Sequence, residues 1–96
     1  MDRLKGRKAL VYGAGPNIGG TIAFFFAREG ADVLVVDINQ TVGMETRDFI
    51  RSRGLRCEFV PGDATVEADV IHATNSAIEL FGGLDIVVNM AGSIYW

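Results

Sequence analysis

Val11-Tyr12-Gly13-Ala14-Gly15-Pro16-Asn17-Ile18-Gly19-Gly20 joins a short apolar run to a helix-patterned one through a glycine-rich turn. Such a turn lets backbone N–H groups approach a phosphate, and the helix that follows points its unpaired N–H groups and positive dipole end at the same spot. The stretch therefore reads as the phosphate-facing corner of a dinucleotide-binding fold. Everything else in the chain is arranged around it.

Outward from the turn, Lys8-Ala9-Leu10-Val11-Tyr12 has the continuous apolar character of a strand buried on both faces, as in a parallel sheet. From Ile18 to Arg28 the chain is apolar nearly all round. Helical spacing links Ile18, Ile22, Phe25 or Phe26 and Glu29, and Gly30 suits the left-handed position that ends a helix. Residues 31–37 form a second strand with Asp37 at its carboxyl end. Residues 39–54 form an amphipathic helix with Val42, Thr46, Phe49, Ile50 and Arg53 at three- and four-residue steps, closed by Gly54.

Residues 56–60 alternate and then meet Pro61-Gly62, which reads as a short strand near a sheet edge. Thr65 is expected to cap a third helix, with Glu67 and Asp69 in its first turn and Val66, Val70, Ala73, Ala77 and Phe81 on one face, ending at Gly82-Gly83. Residues 84–89 are the fourth strand. Strand and helix alternate throughout, which predicts right-handed βαβ crossovers, a single α/β domain over residues 1–96 and a Rossmann-type parallel sheet in the order 3-2-1-4.

Composition agrees and excludes several function classes. The 96 residues are 49% hydrophobic and 22% charged with two prolines, the profile of a globular chain with a packed core. A net charge of −3 argues against a general nucleic-acid binder, and the cluster Arg3, Lys5, Arg7, Lys8 reads as a solvated lead-in to the first strand. No apolar run reaches the roughly 20 residues that span a bilayer, and the N-terminus lacks a signal-peptide core. The single cysteine, Cys57, has no partner thiol and reads as a small core residue, in keeping with a reducing, cytoplasmic setting.

The glycine turn departs from the common G-x-G-x-x-G fingerprint, because its third position falls on Ile18. Its spacing, Gly13-x-x-x-Asn17-x-Gly19, resembles instead the T-G-x-x-x-G-x-G pattern of the short-chain dehydrogenase/reductase family, with Tyr12 for Thr and Asn17 for the middle Gly. The physical requirements carry over. Gly13 lets the chain leave the strand tightly, Asn17 tolerates a left-handed backbone better than most residues, Ile18 opens the helix and Gly19 permits its close approach to the sheet.

Asp37 supplies the second element. An acid at the end of the second strand, 18 residues beyond Gly19, can accept hydrogen bonds from the adenosine ribose hydroxyls and repels a 2′-phosphate. NAD is therefore expected over NADP, and the neighbouring Ile38 offers no basic partner for a phosphate. The family resemblance adds two further stretches. Asp63 and Ala64 match the acid and its neighbour that border the adenine ring, and Asn89-Met90-Ala91-Gly92 resembles the N-N-A-G run, with Met90 for the second Asn, that lies against the cofactor ribose. In that resemblance Asn89, Ala91 and Gly92 join the cofactor-binding set.

The resemblance implies the cofactor-binding half of an oxidoreductase that moves a hydride between nicotinamide and a carbonyl or alcohol carbon. It also implies a catalytic Ser and a Tyr-x-x-x-Lys, and no Tyr-x-x-x-Lys occurs in these 96 residues. Ser93 and Tyr95 are no substitute, because an unperturbed hydroxyl without a positioned Lys or His transfers protons poorly at neutral pH. His72 is expected to be exposed, and no metal site is expected. The chain alone is thus expected to bind a dinucleotide without turnover. The alternative is a stand-alone nucleotide-binding or protein-interaction module, with the apolar fourth strand as an open edge suited to self-association.

Overall fold

The order of elements follows from where apolar runs and helix stops alternate. The computed structural model describes residues 3–13 and 19–90. It contains β1 (Lys8–Tyr12), α1 (Gly19–Arg28), β2 (Asp32–Asp37), α2 (Gln40–Ser52), β3 (Cys57–Pro61), α3 (Glu67–Phe81) and β4 (Ile86–Asn89). The four strands form one sheet in the order β3-β2-β1-β4, every pairing parallel. This is the expected doubly wound arrangement.

Alternation along β1 explains why its whole length is apolar. Ala9 and Val11 face one way, into a cluster with Ala23 and Ala27 of α1 and Ile50 of α2, while Leu10 and Tyr12 face the other, into a cluster with Ala73 and Ala77 of α3. Ala9, Leu10 and Val11 are fully buried, as are Val33, Leu34 and Val35 beside them in β2. A strand covered on both faces has no position at which a polar side chain is favoured.

The helices bury smaller residues than their spacing suggested. In α1 the buried positions are Gly19, Ala23 and Ala27, and of the two phenylalanines that fit the helical spacing it is Phe26 that packs against the core. Small side chains let the helix axis sit close to the strands, and Phe25 is left 45% exposed with the Arg28 guanidinium 4.9 Å above its ring. Glu29 fits the same spacing and is 3% exposed, with Arg3 Nε and Arg28 Nε each 3.9 Å from its carboxyl oxygens. Gly30 follows with φ +101°, as its helix-ending position requires.

In α2 the buried positions are Gly43 and Ile50, with Phe49 largely exposed. A Cβ on Gly43 would overlap the Phe59 ring of β3, so glycine is what lets α2 lie flat on the edge strand. Asn39 caps this helix by accepting from Val42 N at 3.1 Å. The third helix corrects an expectation. Thr65 does not cap it, because both its amide and its hydroxyl donate to Asp63 Oδ1, at 2.8 and 2.6 Å, and the cap position falls on Val66 with no side-chain bond. The chain folds back through an Asx turn before the helix begins. Ala73 and Ala77 carry the buried face as expected, and Gly82 ends the helix at φ +82°.

Candidate functional site

In a parallel sheet all carboxyl ends lie on one side, and ligands collect there where the strand order reverses. Here the reversal lies between β1 and β4. Register aligns Tyr12 with Val36 on one side and with Asn89 on the other, and Asp37 with Pro61. The candidate residues Gly13, Asp37, Ile38, Asp63, Ala64 and Asn89 therefore share one rim. Gly19 stands at the amino end of α1, buried against the sheet. Asn17, Ile18, Ala91 and Gly92 lie outside the described residues.

Gly13 performs the role its position suggested. Its φ is +86° and its N–H donates to Val36 O at 2.8 Å, so the chain turns out of β1 while still bonded to the neighbouring strand. A side chain at that φ would strain the backbone. On the other side of β1, Met90 N donates to Tyr12 O at 2.8 Å and holds the start of the segment after β4 against the same turn. Tyr12 fills the space beneath. It is 5% exposed, and burial raises its phenol above the ordinary value while the adjacent Thr74 opposes the rise. Its hydroxyl lies beside Thr74 without reaching hydrogen-bond geometry.

Asp37 is held by the chain that follows it. Asn39 N donates to Asp37 Oδ1 at 2.8 Å, and the Asn39 side chain in turn caps α2. Aspartate, a short turn and the helix cap are thus one unit, which fixes the carboxylate at the strand end. Asn39 was not singled out from the sequence, although an Asp-x-Asn run just before a helical pattern is the signal for it. Ile38, between the two, is 68% exposed and projects an apolar side chain beside the carboxylate.

Across from it, Gly62 N donates to Asp37 O at 3.2 Å and brings the β3–α3 connection to the rim. Asp63 Oδ1 accepts from Thr65, and the hydroxyl bond first and the amide bond second hold its carboxyl below the usual carboxylate range. Asp69 Oδ2 accepts from Asp63 N at 2.9 Å, a further tie that sequence reading did not supply. Ala64 is half-buried against the α3-side core, and Asn89 ends β4 in an exposed position. His72 is exposed, as expected, and among the described residues no cluster of three or more His, Cys, Asp or Glu could hold a metal ion.

A positive-φ glycine at the end of β1, the amino end of α1 and a carboxylate held at the end of β2 thus lie on one rim, the side on which open parallel sheets of this kind take their ligands. Comparison with known proteins agrees. The family model described as short chain dehydrogenase matches residues 7–95. An uncharacterised oxidoreductase of Thermotoga maritima is 38% identical over 88 residues, covering 92% of this chain and 34% of that protein. A short chain dehydrogenase from Mycobacterium smegmatis superposes with TM-score 0.91 at 39% identity, covering 97% of this chain and 40% of that one. A hydroxysteroid dehydrogenase from Escherichia coli gives TM-score 0.91 at 38% identity, over 95% of this chain and 39% of that one.

The chain belongs to the short-chain dehydrogenase family, whose members bind NAD(P). It spans about a third of the length of the curated relatives it matches. Among the described residues no helix is long and apolar enough to cross a membrane.

Proposed function

We propose that this chain is the nucleotide-binding portion of an NAD-dependent short-chain oxidoreductase, and that it binds NAD in preference to NADP. The observation that carries this reading is Asp37, fixed at the carboxyl end of β2 by the Asn39 amide and one strand away from the Gly13 turn. A carboxylate there accepts from ribose hydroxyls and repels a 2′-phosphate. Gly13, Asn17, Ile18 and Gly19 would face the pyrophosphate, Ile38, Asp63 and Ala64 the adenine, and Asn89, Ala91 and Gly92 the ribose nearer the nicotinamide. The bound dinucleotide would take a hydride from an alcohol carbon when oxidised or give one to a carbonyl carbon when reduced. The chain's own residues bind and orient it, and without a Tyr-x-x-x-Lys this stretch supplies no proton-transfer group for the substrate.

Calorimetric titration of the chain with NAD and with NADP tests the reading. NAD should bind more tightly, and Asp37→Ala should weaken NAD about tenfold while narrowing the gap to NADP. Equal affinities in the parent chain, or an Asp37→Ala variant that still discriminates, would overturn the preference.

A second reading, a non-catalytic module that associates with itself, is favoured by β4. Val87 is 57% exposed in a four-residue strand at the sheet edge. Sedimentation velocity over a concentration series would show a dimer if this edge pairs. The free, fully buried Cys57 fits the cytoplasm as the working location.

A further inference from the structure

The outer sides of α1 and α2 leave a groove of about 500 Å³ between them, and none of its lining residues belongs to the strand ends that form the dinucleotide cradle. Its size falls within the roughly 300–1,000 Å³ typical of small-molecule sites. Phe24 of α1 and Phe49 of α2 form one wall, their ring centroids 5.5 Å apart and tilted by 54°, and Val42 extends the apolar surface by two helical turns. Gly20 and Thr21 of α1 complete that side of the lining.

The groove contains one charged side chain, Glu45. Among the described residues every ion pair uses another carboxylate, and no Arg or Lys neutralises Glu45. An unpaired carboxylate beside two aromatic rings selects positive charge on an apolar body, through Coulomb attraction from the acid and the negative ring faces. Phe49 already has a cation over its ring, the Arg53 guanidinium at 4.9 Å. We propose that the α1–α2 groove is a second binding site, separate from the dinucleotide cradle, for a small amphipathic cation: an aromatic or branched aliphatic group carrying an ammonium.

The test is an amide chemical-shift titration of the chain with 2-phenylethylammonium, with neutral 2-phenylethanol and anionic 3-phenylpropionate as matched probes. The cation should shift the amides of Thr21, Val42 and Thr46 and bind more tightly than the alcohol, with the carboxylate weakest. Glu45→Gln, at an exposed position, should weaken the cation about fivefold and leave the alcohol unchanged. Saturating NAD should not displace the cation. Equal binding of all three probes, shifts centred away from α1 and α2, loss of the cation's shifts on adding NAD, or a Glu45→Gln variant that binds the cation as the parent does would each overturn the proposal.

Discussion

The two edges of the sheet are built in different ways. At β3 the edge is closed from within the chain: Arg51 of α2 reaches over, its Nε donating to Cys57 O at 2.8 Å and its Nη2 meeting Glu58 Oε1 at 2.6 Å. Pro61 contributes no N–H, and Gly43 brings α2 down onto Phe59. At β4 the strand bonds to β1 alone, no described helix packs closely on it, and Val87 is open to solvent. Natural sheets protect edges with charge, proline and helix cover, and all three are concentrated at β3. The contrast teaches that, among the described residues, edge protection is concentrated on one side of the sheet.

The largest test of the contrast addresses Cys57, fully buried at the β3 edge, whose thiol burial pushes up to about 12 from an ordinary 9.0. The folded state therefore favours the protonated thiol. Stability should be flat below pH 9 and decline as pH rises from 9 toward 12, and in Cys57→Ala this decline should be absent. At neutral pH an aromatic disulfide reagent should react with the native chain at least about a hundredfold more slowly than with the urea-unfolded chain. Fast labelling of the native chain would mean that the β3 edge opens readily.

Next in size is Gly43→Ala. The added methyl meets the Phe59 ring, and the expected loss in urea unfolding is about 2–3 kcal/mol. Combining it with Phe59→Leu should recover part of that loss, since the two sites share one contact. A neutral Gly43→Ala would show that α2 is not held close to the edge strand.

Arg51→Ala should cost about 1 kcal/mol by leaving the Cys57 carbonyl without its donor, and Arg51→Lys should recover only part. The smallest effect on stability is expected at the opposite edge. Val87→Lys should change the unfolding free energy by no more than about 0.5 kcal/mol, yet it should abolish any concentration-dependent sedimentation of the parent chain. If sedimentation responds to Arg51→Ala and ignores Val87→Lys, the assignment of edges is reversed.

Much of the fold was legible because its determinants are local. All four strands begin or end within about two residues of the expected positions, since each is an apolar run bounded by a turn residue. Gly30 and Gly82 ended helices as expected, at positive φ. The rim of the candidate site could also be read, because parallel strands deliver their ends to one side whatever the side-chain detail.

What escaped depends on contacts between distant residues. The faces of α1 and α2 were legible only in part: Ile50 and Phe26 reach the core as their spacing suggested, but periodicity ranks residues by apolarity whereas close approach to a sheet rewards small ones, so Ala23 and Gly43 are inside and Phe25 and Phe49 outside. Thr65 matched a cap in type and spacing, but Asp63 two residues earlier competes for its hydroxyl and its amide. The reach of Arg51 to the β3 edge could not be read from α2 alone, because it exists only once helix and strand are packed.

The Arg51 and Pro61 arrangement also leaves the β3 edge with little to offer another strand. A chain with two receptive edges can add copies without end, whereas one receptive edge is used up by the first partner. With the β3 edge covered in this way, any pairing of these 96 residues through β4, as in the self-associating reading above, would close after two copies about a twofold axis.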